Sequence, residues 1–484
     1  MTELGVASIT LMENAGKAAT KIVREKFADR LGHVVIVGGT GQNGGDGWVV
    51  ARLLFEAGIS PTVVLVGDPS KVTGDAAINL AKIRALGVEI QFLLEALRDA
   101  TLFVDAVFGI GLDRPVGVEH GQVFLAINRS QAPCVALDIP SGIDADTGAV
   151  LGLAVQAAVT VTFAAHKRGL HQQPGAAHAG QIICVDIDAP SPVSAAAAVE
   201  LVDVARGIER RPDDWHKGDS GHVLVFGGSK GMTGAALLAA LGALRVGAGL
   251  ATIATDREAR TALDQKVIEI MTAELADDPQ AAIERAIELA KDKAVAVLGP
   301  GAGLDDRART LVRELAVRLP IPTIVDADAL TALSDAPERL RDAVAPRVIT
   351  PHSGEAGRLL RMSTSAVQAD RFAAADALAR RTGAIAVLKG ARTIVASPDG
   401  QQSVCDRGTP ALAVAGTGDV LAGTIAGVQA GSRFAPSALS VGCSVVLHAL
   451  AGEIAAKSDR GLLAREVADA LPLALEACRA HLPT

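Results

Sequence analysis

Short apolar runs rich in β-branched residues return along this chain at intervals filled by helix-period segments. That alternation restricts the fold more than any other feature. In the first half the runs are Val34–Val37, Thr62–Val66, Leu102–Val107, Val135–Ile139, Val159–Phe163 and Ile182–Ile187, with helical segments such as Trp48–Ala57 and Ala76–Leu86 between them. Strands apolar on both faces and separated by helices predict a parallel sheet covered on both sides. The pattern stops at Ala189-Pro190-Ser191-Pro192 and passes through an alanine run to Arg210-Arg211-Pro212-Asp213-Asp214. It restarts at Gly221-His222-Val223-Leu224-Val225-Phe226-Gly227-Gly228, an echo of Gly32-His33-Val34-Val35-Ile36-Val37-Gly38-Gly39. Further strands are expected at Leu250–Ala254, Ala294–Leu298, Thr323–Val325, Arg347–Thr350, Ile385–Leu388 and Thr393–Ala396. The expected organisation is two α/β domains, 1–190 and 213–484, joined by a linker over 191–212 that holds one helical turn. Single α/β domains run to about 250 residues, so two of them suit this length.

Composition narrows the function. Apolar residues make up 49% and aromatics 2%, with no Tyr, so the cores must be built from Ala, Val, Leu and Ile. A net charge of −8, no basic stripe and no base-stacking aromatic set argue against nucleic acid as a partner. The start, Met1-Thr2-Glu3-Leu4-Gly5, lacks a basic region followed by an apolar run, and apolar spans are interrupted by glycine. A soluble, cytoplasmic protein with no membrane partner is expected. Cys134, Cys184, Cys405, Cys443 and Cys478 are scattered, without a CxxC pair, and read as buried thiols rather than disulfides or zinc ligands.

The densest chemistry lies in Ala415-Gly416-Thr417-Gly418-Asp419-Val420-Leu421-Ala422-Gly423, a glycine turn that feeds an apolar helix. Free N–H groups at a helix start attract anions, and Gly416 and Gly418 leave no Cβ in the way of a phosphate. Asp419 at the same junction is either a helix cap or a base that takes a proton from a hydroxyl beside a phosphoryl donor. Around it fall Gly228–Ala236, Gly299-Pro300-Gly301, Val325-Asp326-Ala327-Asp328, Thr350-Pro351-His352-Ser353-Gly354-Glu355 and Lys389-Gly390-Ala391-Arg392-Thr393, nearly all directly after an expected strand. Trp215–His222 precedes the first of those strands. Asp328 alone reads equally well as a cap and His352 as a surface histidine. In the first half, Gly38–Gly47 (Gly38-Gly39-Thr40-Gly41-Gln42-Asn43-Gly44-Gly45-Asp46-Gly47) is neither a dinucleotide fingerprint nor a Walker loop. It offers a flexible backbone, amides and a carboxylate suited to a hard cation or a phosphate. Asp105 and Asp138-Ile139-Pro140-Ser141 add oxygens at other strand ends, and His166-Lys167-Arg168 adds cationic donors or a solvated loop charge.

On Leu11-Met12-Glu13-Asn14-Ala15-Gly16, Asn43–Gly47, Asp138–Gly142 and Thr162–Leu170, the first half resembles the NAD(P)H-hydrate epimerase domain, which has a Rossmann-like fold. The resemblance implies inversion at C6 of a hydrated nicotinamide ring, with a potassium ion on Asn43, Asp105 and Ser141 and Asp138 as the acid/base residue. It further implies that Gln42, Asn43, Gly44, Gly45 and Asp46 bind substrate, and that Gly109, Ile110, Gly111, Leu112, Asp113, Arg114 and Pro115 line its phosphates. The family has Asn where this chain has Gln42, and most of the family's first helix is expected to be missing ahead of Leu11. The second half is similar to the ADP-dependent NAD(P)H-hydrate dehydratase domain, with a ribokinase-like fold. By that resemblance Lys389, Gly390, Ala391, Arg392, Thr393, Gly416, Thr417 and Gly418 bind the adenine nucleotide. Ala235, Gly301, His352 and Asp419 face the hydrated nicotinamide, and a magnesium ion bridges the phosphates. The family's Gly-Asn-Pro and Pro-His-Pro appear here as Gly408-Thr409-Pro410 and Pro351-His352-Ser353. The resulting expectation is a bifunctional repair enzyme for hydrated NADH and NADPH, consuming ADP as co-substrate and assembled as a homo-oligomer. Competing expectations are a ribokinase-like small-molecule kinase and a first half that binds nucleotide without catalysis.

Overall fold

The computed structural model describes residues 6–92, 94–189, 197–208, 210–432 and 435–482. The chain divides into two compact units, Met1–Ala195 and Ala196–Thr484. In the first, strands β1 (Val34–Gly38), β2 (Thr62–Leu65), β3 (Ile90–Gln91), β4 (Leu102–Ala106), β5 (Cys134–Leu137), β6 (Val159–Phe163) and β7 (Gln181–Val185) alternate with helices α1 (Ser8–Lys26), α2 (Gln42–Glu56), α3 (Gly74–Ala85), α4 (Val118–Arg129) and α5 (Gly175–Ala179). The sheet runs β3-β2-β1-β4-β5-β6-β7 and is parallel throughout. Alternate residues of β1 feed opposite cores: Val34 and Ile36 pack with α1, α2 and α3, and Val35 and Val37 with α4. Strand alternation therefore makes this a doubly wound sheet. Its order reverses between β1 and β4, the place where such sheets take ligands at their carboxyl ends.

One element differs from expectation. Gln42, Asn43, Gly44, Gly45 and Asp46 are the first turn of α2, not a flexible loop. Three glycines so near a helix start cost about 1 kcal/mol each in propensity. Packing demands them: a Cβ on Gly44 would lie 2.0 Å from the Gly39 carbonyl oxygen, one on Gly45 2.5 Å from the Met12 methyl, and one on Gly47 2.6 Å from Ala106.

The second unit contains β8 (Ala197–Ala198), β9 (His222–Phe226), β10 (Leu250–Thr255), β11 (Met271–Glu274), β12 (Val295–Leu298), β13 (Thr323–Val325), β14 (Arg347–Ile349), β15 (Ile385–Leu388), β16 (Ile394–Ala396) and β17 (Gln402–Val404). Its helices are α6 (Leu201–Gly207), α7 (Thr233–Val246), α8 (Arg257–Asp264), α9 (Pro279–Ala290), α10 (Asp306–Arg318), α11 (Asp328–Leu333), α12 (Ser353–Leu360), α13 (Thr364–Ala369), α14 (Arg371–Thr382), α15 (Thr417–Ala430), α16 (Ala438–Ala455) and α17 (Ala464–Arg479). The sheet order is β11-β10-β9-β12-β13-β14-β15-β16-β17-β8, parallel from β11 to β15 and closed by the antiparallel β15-β16-β17 meander. The echoing segments become β1 and β9, each beside the reversal point of its own sheet. Helices α7 and α15 approach to backbone contact: a Cβ on Gly423 would sit 1.9 Å from the Ala239 oxygen.

The stretch expected as linker, 191–212, is in part structured. β8 pairs with β17, and α6 packs on α16 and α17 by burying Val204 and Ala205. The apolar side chains that sequence reading took for a passing helical turn thus belong to a core. Residues 190–196 and 209 lie outside the described residues. Cys134, Cys405, Cys443 and Cys478 are buried, but Cys184, on edge strand β7, is exposed rather than buried. Helix α16 is long and apolar enough to cross a membrane, yet it is a core helix with 72% of that window buried.

Candidate functional sites

In the first unit the carboxyl ends of β1, β4, β5 and β6 bring the expected oxygens together. Asp105, next to last in β4, is fully buried, and its carboxylate accepts from Ser141 Oγ at 2.6 Å, Ser141 N at 2.8 Å and Val107 N at 3.2 Å. Burial pushes Asp105 up to about 6 against those three bonds. Asn43 is buried on α2, and neither end of its amide has a hydrogen-bond partner. Asp138 adopts φ 65°, a strained backbone for a residue other than glycine. Its Oδ1 is held by Lys167 Nζ at 2.6 Å, while Oδ2 lies 3.5 Å from the position a Cβ on Gly109 would take. That same position is 3.4 Å from Asn43 Cβ, so Gly109, Asn43 and Asp138 meet at one point. Lys167 also donates to the carbonyls of Phe163 at 2.7 Å and Ala165 at 3.2 Å. Its side chain is 15% exposed, so it is a built-in partner of Asp138 and not a solvated loop charge. Asp46 joins them: burial raises its pKa well above the carboxylate range, Asp138 adds to the rise and Lys167 opposes it. Gln42 stays exposed at the start of α2, and Gly109–Pro115 runs as a largely exposed segment toward α4.

In the second unit the loops at the carboxyl edge are stitched to one another. Gly228 N and Ser229 N donate to the Pro300 and Gly301 carbonyls at 2.9 and 2.7 Å, joining the loops after β9 and β12. A Cβ on Gly301 would lie 3.2 Å from Ala235 Cβ, which makes those two residues neighbours. Asp328 does not cap its own helix; its Oδ2 accepts from Gly303 N at 2.9 Å. Lys389 Nζ reaches across from β15 to Asp326 Oδ1 at 2.7 Å, with Asp326 only 1% exposed. A Cβ on Gly418 would sit 3.3 Å from that ammonium. His352 caps α12, its Nδ1 accepting from the amides of Gly354 at 3.0 Å and Glu355 at 3.3 Å. With Nδ1 so occupied, the neutral ring carries its proton on Nε2, ready to donate. Burial lowers the His352 pKa, and Lys389 lowers it further.

Asp419 lies in the first turn of α15, whose cap is Gly416 at φ 93° with no side-chain cap bond. The capping alternative therefore fails, and the helix start is left to other groups. Burial pushes Asp419 up to about 7, Asp326 adds to this and Lys389 opposes it. Burial works against the charge of Lys389, but Asp326, Glu355 and Asp419 outweigh it and hold its pKa above the lysine range. His448, buried on α16 and pushed down to about 4 by burial, donates through Nε2 to the Thr417 carbonyl at 3.0 Å and braces the turn from behind. Glu355 and His448 belong to this site without a role expected from the sequence. The spacing of His352 and Glu355 as a capping box was the available signal for the first, and a lone histidine on an apolar helix carries none. The Trp215–His222 segment is not part of the edge: it runs into the first residue of β9 and packs where a Cβ on Gly249 would meet the Lys217 carbonyl at 1.9 Å, at the amino ends of the strands.

The pH behaviour of Asp419 follows with a definite sign. A base with a pKa of about 7 acts when ionised, so turnover that needs it rises with pH through about 7 and is lost below. Stability runs the other way. The folded protein holds this proton more tightly than the unfolded chain, so the contribution of Asp419 falls as pH rises from about 4 to about 7. Asp419→Asn should therefore melt above wild type near pH ~8 and level with it near pH ~4, measured by calorimetry.

One unit is a doubly wound sheet with oxygen-bearing loops at its reversal point, and the other gathers an aspartate, a lysine and buried carboxylates at a helix start; together they define a two-unit α/β protein of the nucleotide-handling class. The second unit resembles a ribokinase-like superfamily protein from Enterococcus faecalis (27% identity, 58% of this chain and 96% of that one, TM-score 0.50). It also resembles the ADP/ATP-dependent NAD(P)H-hydrate dehydratase of Bacillus subtilis, co-crystallised with ATP and Mg2+ (28% identity, 58% and 99% covered, TM-score 0.51). Residues 8–169 match the family model described as YjeF-related protein N-terminus, and residues 223–473 the one described as NAD(P)H-hydrate dehydratase. The bifunctional NAD(P)H-hydrate repair enzyme of Moorella thermoacetica is 39% identical over 98% of this chain and 93% of its own length. That of Escherichia coli is 34% identical over 96% and 89%. The chain belongs to the family of bifunctional NAD(P)H-hydrate repair enzymes.

Proposed function

We propose that this chain repairs hydrated nicotinamide nucleotides at two separate sites, the first interconverting the R and S forms of NAD(P)H hydrate and the second dehydrating the S form at the expense of ADP. The observation that carries the second activity is Asp419: a buried carboxylate in the first turn of an uncapped helix, opposed by Lys389 and backed by Asp326. There Asp419 takes the proton of the C6 hydroxyl as the terminal phosphoryl of ADP passes to that oxygen, leaving AMP. Amides of Gly416–Gly418 stabilise the transferred charge, and His352 Nε2 supplies a donor. Loss of phosphate from C6 with a proton from C5 regenerates the dihydronicotinamide. Ala235 and Gly301 line the hydrate's side of the pocket, and the Lys389–Thr393 loop takes the nucleotide. Magnesium would enter with the nucleotide and neutralise phosphate charge, with Asp328, half-buried at this edge, as a carboxylate placed to hold it. Purified protein given S-hydrate, magnesium and ADP should restore dihydronicotinamide absorbance and release phosphate; absorbance that does not depend on added nucleotide would overturn the reading.

For the first site, Asp138 Oδ2 faces the convergence of Gly109 and Asn43 and is the acid/base group that acts at the C6 hydroxyl. The buried, unpartnered amide of Asn43, with the oxygens of Asp105 and Ser141, suits a hard monovalent cation. Potassium held there would supply positive charge close to the substrate. Gln42–Asp46 and Gly109–Pro115 would hold the hydrate and its phosphates. Lys167→Met should slow epimer exchange about 10–100-fold at unchanged hydrate affinity, because Asp138 loses the bond that fixes its carboxylate. Exchange followed by chromatography of the two epimers checks this, and a variant within about twofold of wild type would remove Lys167 from the account.

A further inference from the structure

We propose that Arg371 is the positioning residue that shapes the nucleotide loop of the second unit, turning the loop's carbonyls inward onto its guanidinium and so presenting the loop's amides to the anionic part of ADP. The inference rests on reading Lys389–Thr393 as the ADP site. Arg371 opens α14 and is 3% exposed. One terminal nitrogen, Nη2, donates to the carbonyls of Leu388 at 3.0 Å and Lys389 at 3.3 Å. The other, Nη1, donates to those of Ala391 at 2.5 Å and Arg392 at 3.1 Å. A single side chain thus gathers carbonyls from both sides of Gly390.

A trans peptide is planar, so a carbonyl that points one way sends the next residue's N–H the other way. One such amide is seen to obey: the Leu388 carbonyl faces Arg371, and Lys389 N donates away from it to the Pro351 carbonyl at 2.9 Å. By the same geometry the N–H groups of Gly390, Arg392 and Thr393 face away from the guanidinium. Gly390 at φ 149° and Arg392 at φ 60° supply the left-handed backbone that curls these amides into a concavity, the form in which backbone binds anions. The Thr393 hydroxyl closes the turn onto the Gly390 carbonyl at 3.0 Å. Gly390 has a second constraint, since a Cβ there would lie 2.9 Å from Arg371 Nη2. The guanidinium also places a fixed positive charge behind the concavity. Burial brings Arg371 down to about 10, so it remains charged at neutral pH. Only arginine has donors in a planar fork able to reach several carbonyls at once; lysine offers a point charge.

The test uses the full chain, with Arg371→Lys, Arg371→Met and Gly390→Ala. ADP binding is measured by calorimetry, and KM for ADP, KM for S-hydrate and kcat by dihydronicotinamide absorbance. The expected result is an ADP affinity weakened by about tenfold or more in Arg371→Lys, with KM for hydrate and kcat at saturating ADP within about threefold of wild type. Gly390→Ala, which keeps the charge but pushes on the fork, should show the same ADP-selective loss should the arginine variants fail to fold. Wild-type ADP affinity in a folded Arg371 variant, or in Gly390→Ala, overturns the inference. Equal losses for ADP and hydrate overturn it too, because a general structural role predicts them. Failure of the wild type itself to bind ADP instead removes the underlying reading of the loop.

Discussion

Asp419→Asn is expected to lower dehydration by about 10²–10⁴-fold while ADP affinity stays within a few-fold of wild type. Asparagine keeps the shape and the amide-side contacts of the α15 turn but accepts no proton from a hydroxyl. The surroundings of Asp419 raise its basicity to the range where it works: burial and Asp326 push it up to about 7, and Lys389 keeps it from going further. A carboxylate at the ordinary value would be a far weaker base. Single-turnover measurement with S-hydrate at saturating ADP separates the chemical step from release. A variant that retains more than about one-tenth of the wild-type rate would show that another group takes the proton.

Lys389→Met carries the largest expected loss of stability, about 3–5 kcal/mol in the second unit. The Asp326 carboxylate is 1% exposed and ion-paired at 2.7 Å, so removing the ammonium leaves a buried charge with its principal partner gone. Glu355 and Asp419 then face Asp326 without the cation they share. Adding Asp326→Asn to Lys389→Met should recover much of the loss, since the pair stabilises mainly by cancelling its own desolvation. Denaturant unfolding of the full chain, followed on the second unit's transition, measures both variants. A loss below about 1 kcal/mol for Lys389→Met would mean that the pair is as weak as an exposed one.

Strands with both faces buried were legible wherever β-branched runs were long, and β1, β4, β9 and β15 fall where the sequence put them. Strands β3, β11 and β17 escaped notice because Ile90–Gln91, Met271–Glu274 and Gln402–Val404 are short or half polar, and neighbouring strands rather than local pattern hold them in the sheet. Glycine was the ambiguous letter. In Gly38–Gly47 it signalled a flexible loop, but Gly39, Gly44 and Gly47 are glycines because other backbone and side chains occupy the Cβ position. At Gly416 the same letter does mark a left-handed helix cap. The site was readable as motifs at strand ends, Asp105, Asp138 and His352, and as the glycine turn into α15 that carries Asp419. What could not be read were couplings across the sheet: Lys167 on Asp138, Lys389 on Asp326, His448 on Thr417 and Arg371 on the 388–392 carbonyls. Each joins residues from different strands or helices, and no local spacing encodes it.

Two sites acting in sequence on one substrate should let the chain use the R form of hydrated NADH. Wild type, Asp138→Asn and Asp419→Asn would each be given that form with ADP and magnesium, and dihydronicotinamide absorbance followed. Recovery is expected well above the spontaneous epimerisation rate in wild type, at the spontaneous rate in Asp138→Asn, and not at all in Asp419→Asn. Recovery in Asp419→Asn equal to wild type would contradict the dehydratase site, and wild-type recovery in Asp138→Asn would contradict the epimerase site.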